Sequence, residues 1–358
     1  MKILTVVGNR PQFVKASAVS GLLREEHEEV LVHTGQHYDE SLSKVFFAEL
    51  GLAEPARELG IGGGSNTSQT ARMLGALEGV LGEVAPELVL VYGDTNSTLA
   101  GALAGAQAGV AVAHVEAGMR SFDRRMPEEL NRVLTDHLGD LLLCPSESAR
   151  ENLAREGVRG AVEVVGDVMV DVALSRLPAA RADEAALQRH GVSRGDYLLC
   201  TAHRAGNVDE EARLAKLVGL LKGLAEGGER IVLPLHPRTH ARLRACGLLE
   251  RLQDTPGLEL CEPLPYMELA ALLCGARAVL TDSGGVQKEA YLARVPCITL
   301  RDATEWTETV ETGWNTLVDL DLDAARRALG REAPTEHPQL YGDGHAAERC
   351  VAAIGAFG

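Results

Sequence analysis

Short apolar runs alternate along this chain with longer amphipathic stretches. Ile3–Val7, Val30–His33, Leu88–Tyr92, Val110–His114, Leu141–Cys144 and Val162–Val165 read as strands. Between them, helices are expected from about Pro11 to Glu26 and over Val45–Leu50 and Thr67–Leu81. The runs are apolar throughout rather than at every second position. That is the pattern of parallel strands buried on both faces, with helices covering each side. The Ala/Gly-rich run Ser97–Ala113 carries Gly101, Gly105 and Gly109 at helical spacing and reads as a buried helix packed closely on a sheet.

The pattern then repeats, with strands expected at Tyr197–Thr201, Arg230–Pro234, Leu258–Cys261, Ala278–Thr281 and Cys297–Leu300. The best boundary lies near Gly166–Asp171, ahead of a charged, Ala-rich stretch. The expectation is an α/β chain of two Rossmann-like doubly wound domains, residues 1–168 and 169–358, with a C-terminal helix that could pack back on the first. Ligands of such sheets bind outside the strand C-termini, so the site is expected in a cleft between the domains.

Length agrees: 358 residues make roughly two domains at ~150 each. With 35 basic and 51 acidic residues the net charge is −16, which repels nucleic acid and anionic membrane. An anionic small molecule remains compatible, because a pocket can be locally basic. No window of 18 apolar residues exists, and the apolar start at Ile3–Val7 is too short for a secretory signal. The seven cysteines include no C-x-x-C pair and form neither zinc spacing nor a disulfide framework. Reduced thiols in the cytoplasm are expected.

The chemistry-bearing residues cluster just after the strands. Gly8-Asn9-Arg10-Pro11 follows the first, with Lys15 one turn on. No G-x-G-x-x-G is present, which disfavours a dinucleotide cofactor. Cations at a helix start suit an anion, although the pair reads as easily as solvated. Asp94 follows the third strand and by itself reads more simply as a helix cap. Glu116, at a strand end beside a glycine-containing turn, is harder to explain as structure. Glu128 and Glu129 open a helix that carries Arg132, where acids are ordinary dipole partners. Three carboxylate sites on the loops of one domain make a general acid/base set plausible.

In the second half, His203-Arg204 and His236-Pro237-Arg238 follow strands and resemble a phosphate pocket. The strongest local signal is Thr281-Asp282-Ser283-Gly284-Gly285, which leads from strand to helix, with Glu289 further along that helix. Backbone N–H groups there can cradle a nucleotide diphosphate, and Glu289 can accept from ribose hydroxyls. Arg301 and Glu305 add a polar loop at the same face.

Together these motifs resemble the non-hydrolysing UDP-N-acetylglucosamine 2-epimerases. The resemblance runs through GNRPQFVK, TGQHYD, GDTNST, HVEAGMRSFDRRMPEELNRVLTDH, HRAGNV, LHPRT, LTDSGGVQKEA, RDATEW and YGDG. The compact SFDRRMPEE segment is similar to a shorter branch found in archaea and some bacteria. The resemblance implies a glycosyltransferase-B-like fold, a UDP-sugar substrate, neither NAD nor a catalytic metal, and a homodimer. It implies catalytic roles for Asp94, Glu116 and Glu128 and places His203 near the diphosphate. Arg10, Lys15 and Arg132 match cations of the site. Ser283, Gly284, Gly285 and Glu289 match the UDP loop, Tyr266 matches an aromatic beside uracil, and His236 and Arg301 are taken as further substrate contacts. The departures are Gln12 and Gly206 where the family usually has Glu, and Trp306 where many members have Arg. The family route is elimination of UDP to a glycal followed by re-addition. The alternatives are the same chemistry on a UDP-diacetamido-uronate, a hydrolysing epimerase, or a glycosyltransferase of the same fold.

Overall fold

A computed structural model describes residues 1–36 and 51–358. The helix expected at Val45–Leu50 and the His37–Asp39 part of TGQHYD lie outside the described residues. The chain divides into two compact units, Met1–Val172 with Tyr341–Gly358, and Ala173–Leu340.

The first unit is built on a parallel sheet of β1 (Lys2–Val7), β2 (Glu28–His33), β3 (Arg57–Glu58), β4 (Leu88–Tyr92), β5 (Ala111–Val115), β6 (Leu141–Cys144) and β7 (Ala161–Val164). Its spatial order is β3-β2-β1-β4-β5-β6-β7. The second carries β8 (Leu198–Thr201), β9 (Ile231–Pro234), β10 (Leu258–Cys261), β11 (Ala278–Thr281), β12 (Cys297–Thr299) and β13 (Asn315–Leu317). Its order is β10-β9-β8-β11-β12-β13. Both are doubly wound, as the apolar runs predict. Strand order reverses between β1 and β4 in one sheet and between β8 and β11 in the other. Such switch points leave a crevice outside the strand ends, and the chain places Arg10, Asp94, His203 and Ser283 just beyond those four strands.

Burial on both faces explains the composition of the central strands: every residue of β4 is buried. The helix Asn96–Gln107 lies so close to the first sheet that a Cβ at Gly101 or Gly105 would stand 2.9 Å from Val91 or Val89. The small-residue face therefore packs within its own unit. Gly109 departs from the expectation: it sits beyond the helix end at φ +72 and forms the turn into β5. β3 and β13 were not expected. They are two and three residues long, too short and too polar for an apolar run to mark them.

The chain leaves the first unit inside the helix Val168–Ala182 and rejoins it at Tyr341. The closing helix Ala346–Phe357 packs against the helix Arg10–Glu26 in the first unit. Asp171 holds its start by accepting from Ala347 N at 2.7 Å. Among the described residues, no helix is long and apolar enough to cross a membrane.

Candidate active site

At the end of β1, Asn9 caps the helix Arg10–Glu26 by accepting from Gln12 N. Arg10 stands at that helix start. Gln12 occupies the position where the resemblance has an acid, and its amide is fully used. Its Oε1 accepts from Gly8 N at 2.7 Å, and its Nε2 donates to Tyr92 O at 2.8 Å and to Thr98 Oγ1 at 2.9 Å. A carboxylate could accept the first of these bonds but could not donate the other two.

One turn on, Lys15 Nζ donates to Glu116 Oε1 at 2.7 Å, with both side chains largely buried. Gly93, at φ +64, makes room for the ammonium, because a Cβ there would lie 2.8 Å from Lys15 Nζ. Glu116 itself sits at φ +70, a left-handed conformation that a non-glycine residue adopts only when its surroundings impose it.

Asp94 is not the helix cap. That role falls to Thr95, whose hydroxyl forms a capping box with Thr98. The Asp94 carboxylate instead faces Arg132 Nη2 at 3.2 Å. Asn131 Nδ2 donates to Asp94 O at 3.0 Å and holds the turn. Burial raises the Asp94 pKa, and Glu116 and Glu128 add to the rise, which Arg132 and Lys15 oppose without cancelling it. Burial pulls the Lys15 ammonium down, but Glu116 and Asp94 more than compensate and leave it above the usual lysine range. Arg132 Nε is buried with no hydrogen-bond partner among the described residues.

The two acids that open the next helix separate cleanly. Glu129 is buried and accepts from Ser121 N, Ser121 Oγ and Phe122 N, each at 2.9 Å. It anchors the preceding loop. Glu128 is exposed and bears on Asp94 through its charge.

In the second unit the His203 and His236 rings stack with centroids 5.1 Å apart. The His203 loop is tied down by Asp282, which is wholly buried and which no sequence motif singled out for this purpose. Its carboxylate accepts from His203 N at 3.1 Å, Arg204 N at 3.0 Å and Asn207 Nδ2 at 3.1 Å. The His203 ring lies 3.6 Å from it. His236 Nδ1 accepts from Arg238 N at 3.2 Å and so starts the helix Pro237–Ala245.

Ser283 precedes the helix Gly284–Ala293, but its hydroxyl makes no capping bond there. Gly284 is required by contact: a Cβ would stand 2.4 Å from Glu305 Oε1 and 2.9 Å from Trp306 Nε1. Gly285 has no such reason, since its Cβ would meet only Ser283 Oγ at 3.9 Å. Glu305 holds Arg204 at 3.2 Å and Arg301 at 2.9 Å. Its burial favours protonation, but the two guanidiniums prevail and keep its carboxyl below the usual range. Arg301 is thus engaged by Glu305 rather than standing alone. Lys288 lies 4.1 Å over the Trp306 ring. Tyr266 and Glu289 line one small recess together with Arg176 and Leu273. Arg176, on the helix Val168–Ala182, carries no motif that would have found it. A wider recess against Pro296 and Trp314 holds none of the candidate residues.

The family model described as UDP-N-acetylglucosamine 2-epimerase matches residues 22–355. A Methanococcus maripaludis protein named as a UDP-N-acetylglucosamine 2-epimerase homolog is 45% identical over 354 residues, 98% of each chain. The UDP-2,3-diacetamido-2,3-dideoxy-D-glucuronate 2-epimerase of Pseudomonas aeruginosa is 46% identical over 358 residues, again 98% of each. The crystal structure of Methanocaldococcus jannaschii UDP-GlcNAc 2-epimerase in complex with UDP-GlcNAc and UDP superposes over all of both chains, at 41% identity and a TM-score of 0.92. This chain belongs to the UDP-N-acetylglucosamine 2-epimerase family.

Proposed function

We propose that this epimerase interconverts UDP-GlcNAc and UDP-ManNAc by inverting C2 of the sugar. The C2 hydrogen is not adjacent to a carbonyl, so direct deprotonation is hard. Anti elimination avoids the problem: a base takes the C2 proton, the C1–O bond to UDP breaks, and a C1=C2 double bond forms. Protonation of C2 on the other face and re-addition of UDP at C1 complete the inversion.

Two proton-transfer groups on opposite faces of the ring are needed. The observation that carries this reading is the grouping of Asp94, Glu116 and Lys15 at the ends of β4 and β5, with Arg132 on Asp94. Asp94, Glu116 and Glu128 supply the acid and base. A carboxyl whose pKa lies above the ordinary range, as at Asp94, is suited to exchanging a proton near neutrality. Arg10, Lys15 and Arg132 provide positive potential. His203, His236 and the helix start at Ser283-Gly284-Gly285 receive the diphosphate and stabilise UDP as it leaves. Glu289 takes the ribose, Tyr266 lies beside the uracil, and Arg301, held by Glu305, completes the phosphate surroundings. The first unit thus does the proton work and the second holds UDP. Excluding water keeps the glycal from hydrolysis. A cytoplasmic homodimer fits the family resemblance.

Incubation with UDP-GlcNAc in heavy water is expected to place deuterium at C2 of both recovered epimers. Full retention of protium at C2 would overturn the proposal. The second reading is the same chemistry on a UDP-diacetamido-uronate, favoured by the 46% identity to the Pseudomonas enzyme. Parallel incubation with that substrate separates the two, since the higher kcat/KM identifies the natural sugar.

A further inference from the structure

The turns that carry Asp94 and Glu116 are joined beneath the surface by one carboxylate. Asp136, on the helix Pro127–Leu138, is wholly buried, as are the side chains of His114 and Arg120. Asp136 Oδ1 lies 2.7 Å from His114 Nδ1, and His114 Nε2 lies 2.7 Å from Gly93 O, in the Asp94 turn. Asp136 Oδ2 accepts from Gly118 N at 3.1 Å, in the Glu116 turn, and faces Arg120 Nη1 at 2.7 Å. Arg120 continues to Glu156 at 2.7 Å, and Asn152 Nδ2 donates to Gly118 O at 2.9 Å.

Both ring nitrogens of His114 face oxygens that accept: a carbonyl, and a carboxylate already paired with a guanidinium. The ring therefore bridges the Asp94 turn to Asp136 through both of its nitrogens. Arg120 in turn lies between two carboxylates, Asp136 and Glu156. These contacts give each of the three buried side chains, His114, Arg120 and Asp136, polar partners out of water. Glu116 needs such support, because its left-handed backbone must be imposed from outside.

We propose that Asp136, acting through His114, is a positioning residue that sets the Asp94 and Glu116 turns at one fixed separation for proton transfer. It touches no substrate. The inference rests on the reading of Asp94 and Glu116 as proton-transfer groups.

The test uses the full chain. Asp136→Asn is expected to lower kcat by roughly 10²-fold, the scale of a misplacement of about 1 Å. Its affinity for UDP should stay close to that of the wild type, because the UDP loop belongs to the other unit. A kcat within a few fold of the wild type, or an equal loss of UDP affinity, overturns positioning. His114→Gln keeps Asp136 and Arg120 paired and tests the same link if Asp136→Asn does not fold. Glutamine carries its two N–H donors on one nitrogen and cannot bridge oxygens on opposite sides of an imidazole ring, so the same split of kcat from UDP affinity is expected, and an unaltered kcat overturns the link. Nitrogen-15 histidine NMR of the unmutated protein should show one ring, missing from His114→Gln, whose N–H is protected from exchange with solvent. Free exchange of the His114 ring proton with solvent overturns the hub. Turnover by Glu116→Gln at the wild-type rate would instead overturn the proton-transfer reading and leave the NMR result untouched.

Discussion

Lys15 and Glu116, 101 residues apart, meet as an ion pair at 2.7 Å beside Gly93. The helix after β1 and the turn after β5 are thereby locked together. Lys15→Met should leave a largely buried Glu116 without its cation. Removing one partner of a buried pair costs about 3–5 kcal/mol, so a clear fall in melting temperature is expected. Turnover should fall with it, because an uncompensated carboxylate resists ionisation. Calorimetry and steady-state kinetics on the same sample check both.

Asp94 offers a trade between stability and activity. Its carboxyl holds the proton more tightly folded than unfolded. Ionisation therefore works against folding as pH rises from the ordinary aspartate range through the higher folded value. Asp94→Asn removes that opposition and is expected to hold or raise the melting temperature at pH 7. Turnover should drop by orders of magnitude while UDP still binds. Near-normal turnover would remove Asp94 from the proposed catalytic set.

Two glycines should fail in different ways. Gly93→Ala demands a left-handed alanine, which costs about 1–2 kcal/mol, and pushes a methyl toward Lys15 Nζ. Stability and turnover are expected to fall together. Gly284→Ala has an ordinary helical backbone, so little stability should be lost to φ. Its methyl would instead displace Glu305 from its arginines. Weaker UDP binding, read by titration calorimetry, is the expected result.

Glu305 gives a pH signature. Its carboxyl sits below the usual range when folded, so its contribution is present above the ordinary glutamate value and is lost as pH falls through the folded one. Glu305→Gln should be less stable than the wild type at pH 7 by roughly 1.5–3 kcal/mol, the range for hydrogen bonds to charged groups. The gap should narrow in acid as the wild-type carboxyl takes up its proton. Melting curves from neutral pH downward test this, and a gap independent of pH contradicts it.

Much of the site was legible because its residues follow strands that the apolar runs mark. Arg10, Asp94, Glu116, His203 and Ser283 all fall where a parallel strand hands over to a turn. Their partners were not legible. Asp94 alone reads as the cap in sequence, and only the assembled turn gives the cap to Thr95 and Arg132 to Asp94. Glu128 and Glu129 are neighbours of one type, and the backbone donors of Ser121 and Phe122 decide which is structural. Nothing in the sequence shows that Asp136 joins two turns, that Asp282 holds the His203 loop or that Glu305 holds Arg204, since each acts on a group far along the chain.

The sequence by itself determined the two doubly wound units, the strand ends that carry chemistry and the family. These depend on side-chain direction, which repeats every two or 3.6 residues and is therefore local. Only the tertiary structure decided which carboxylates are held by cations, which are spent on backbone donors, and which glycines make room. A hydrogen bond or ion pair depends on distance in space, and that distance exists only after the sheets have brought residues as far apart as Lys15 and Glu116 together.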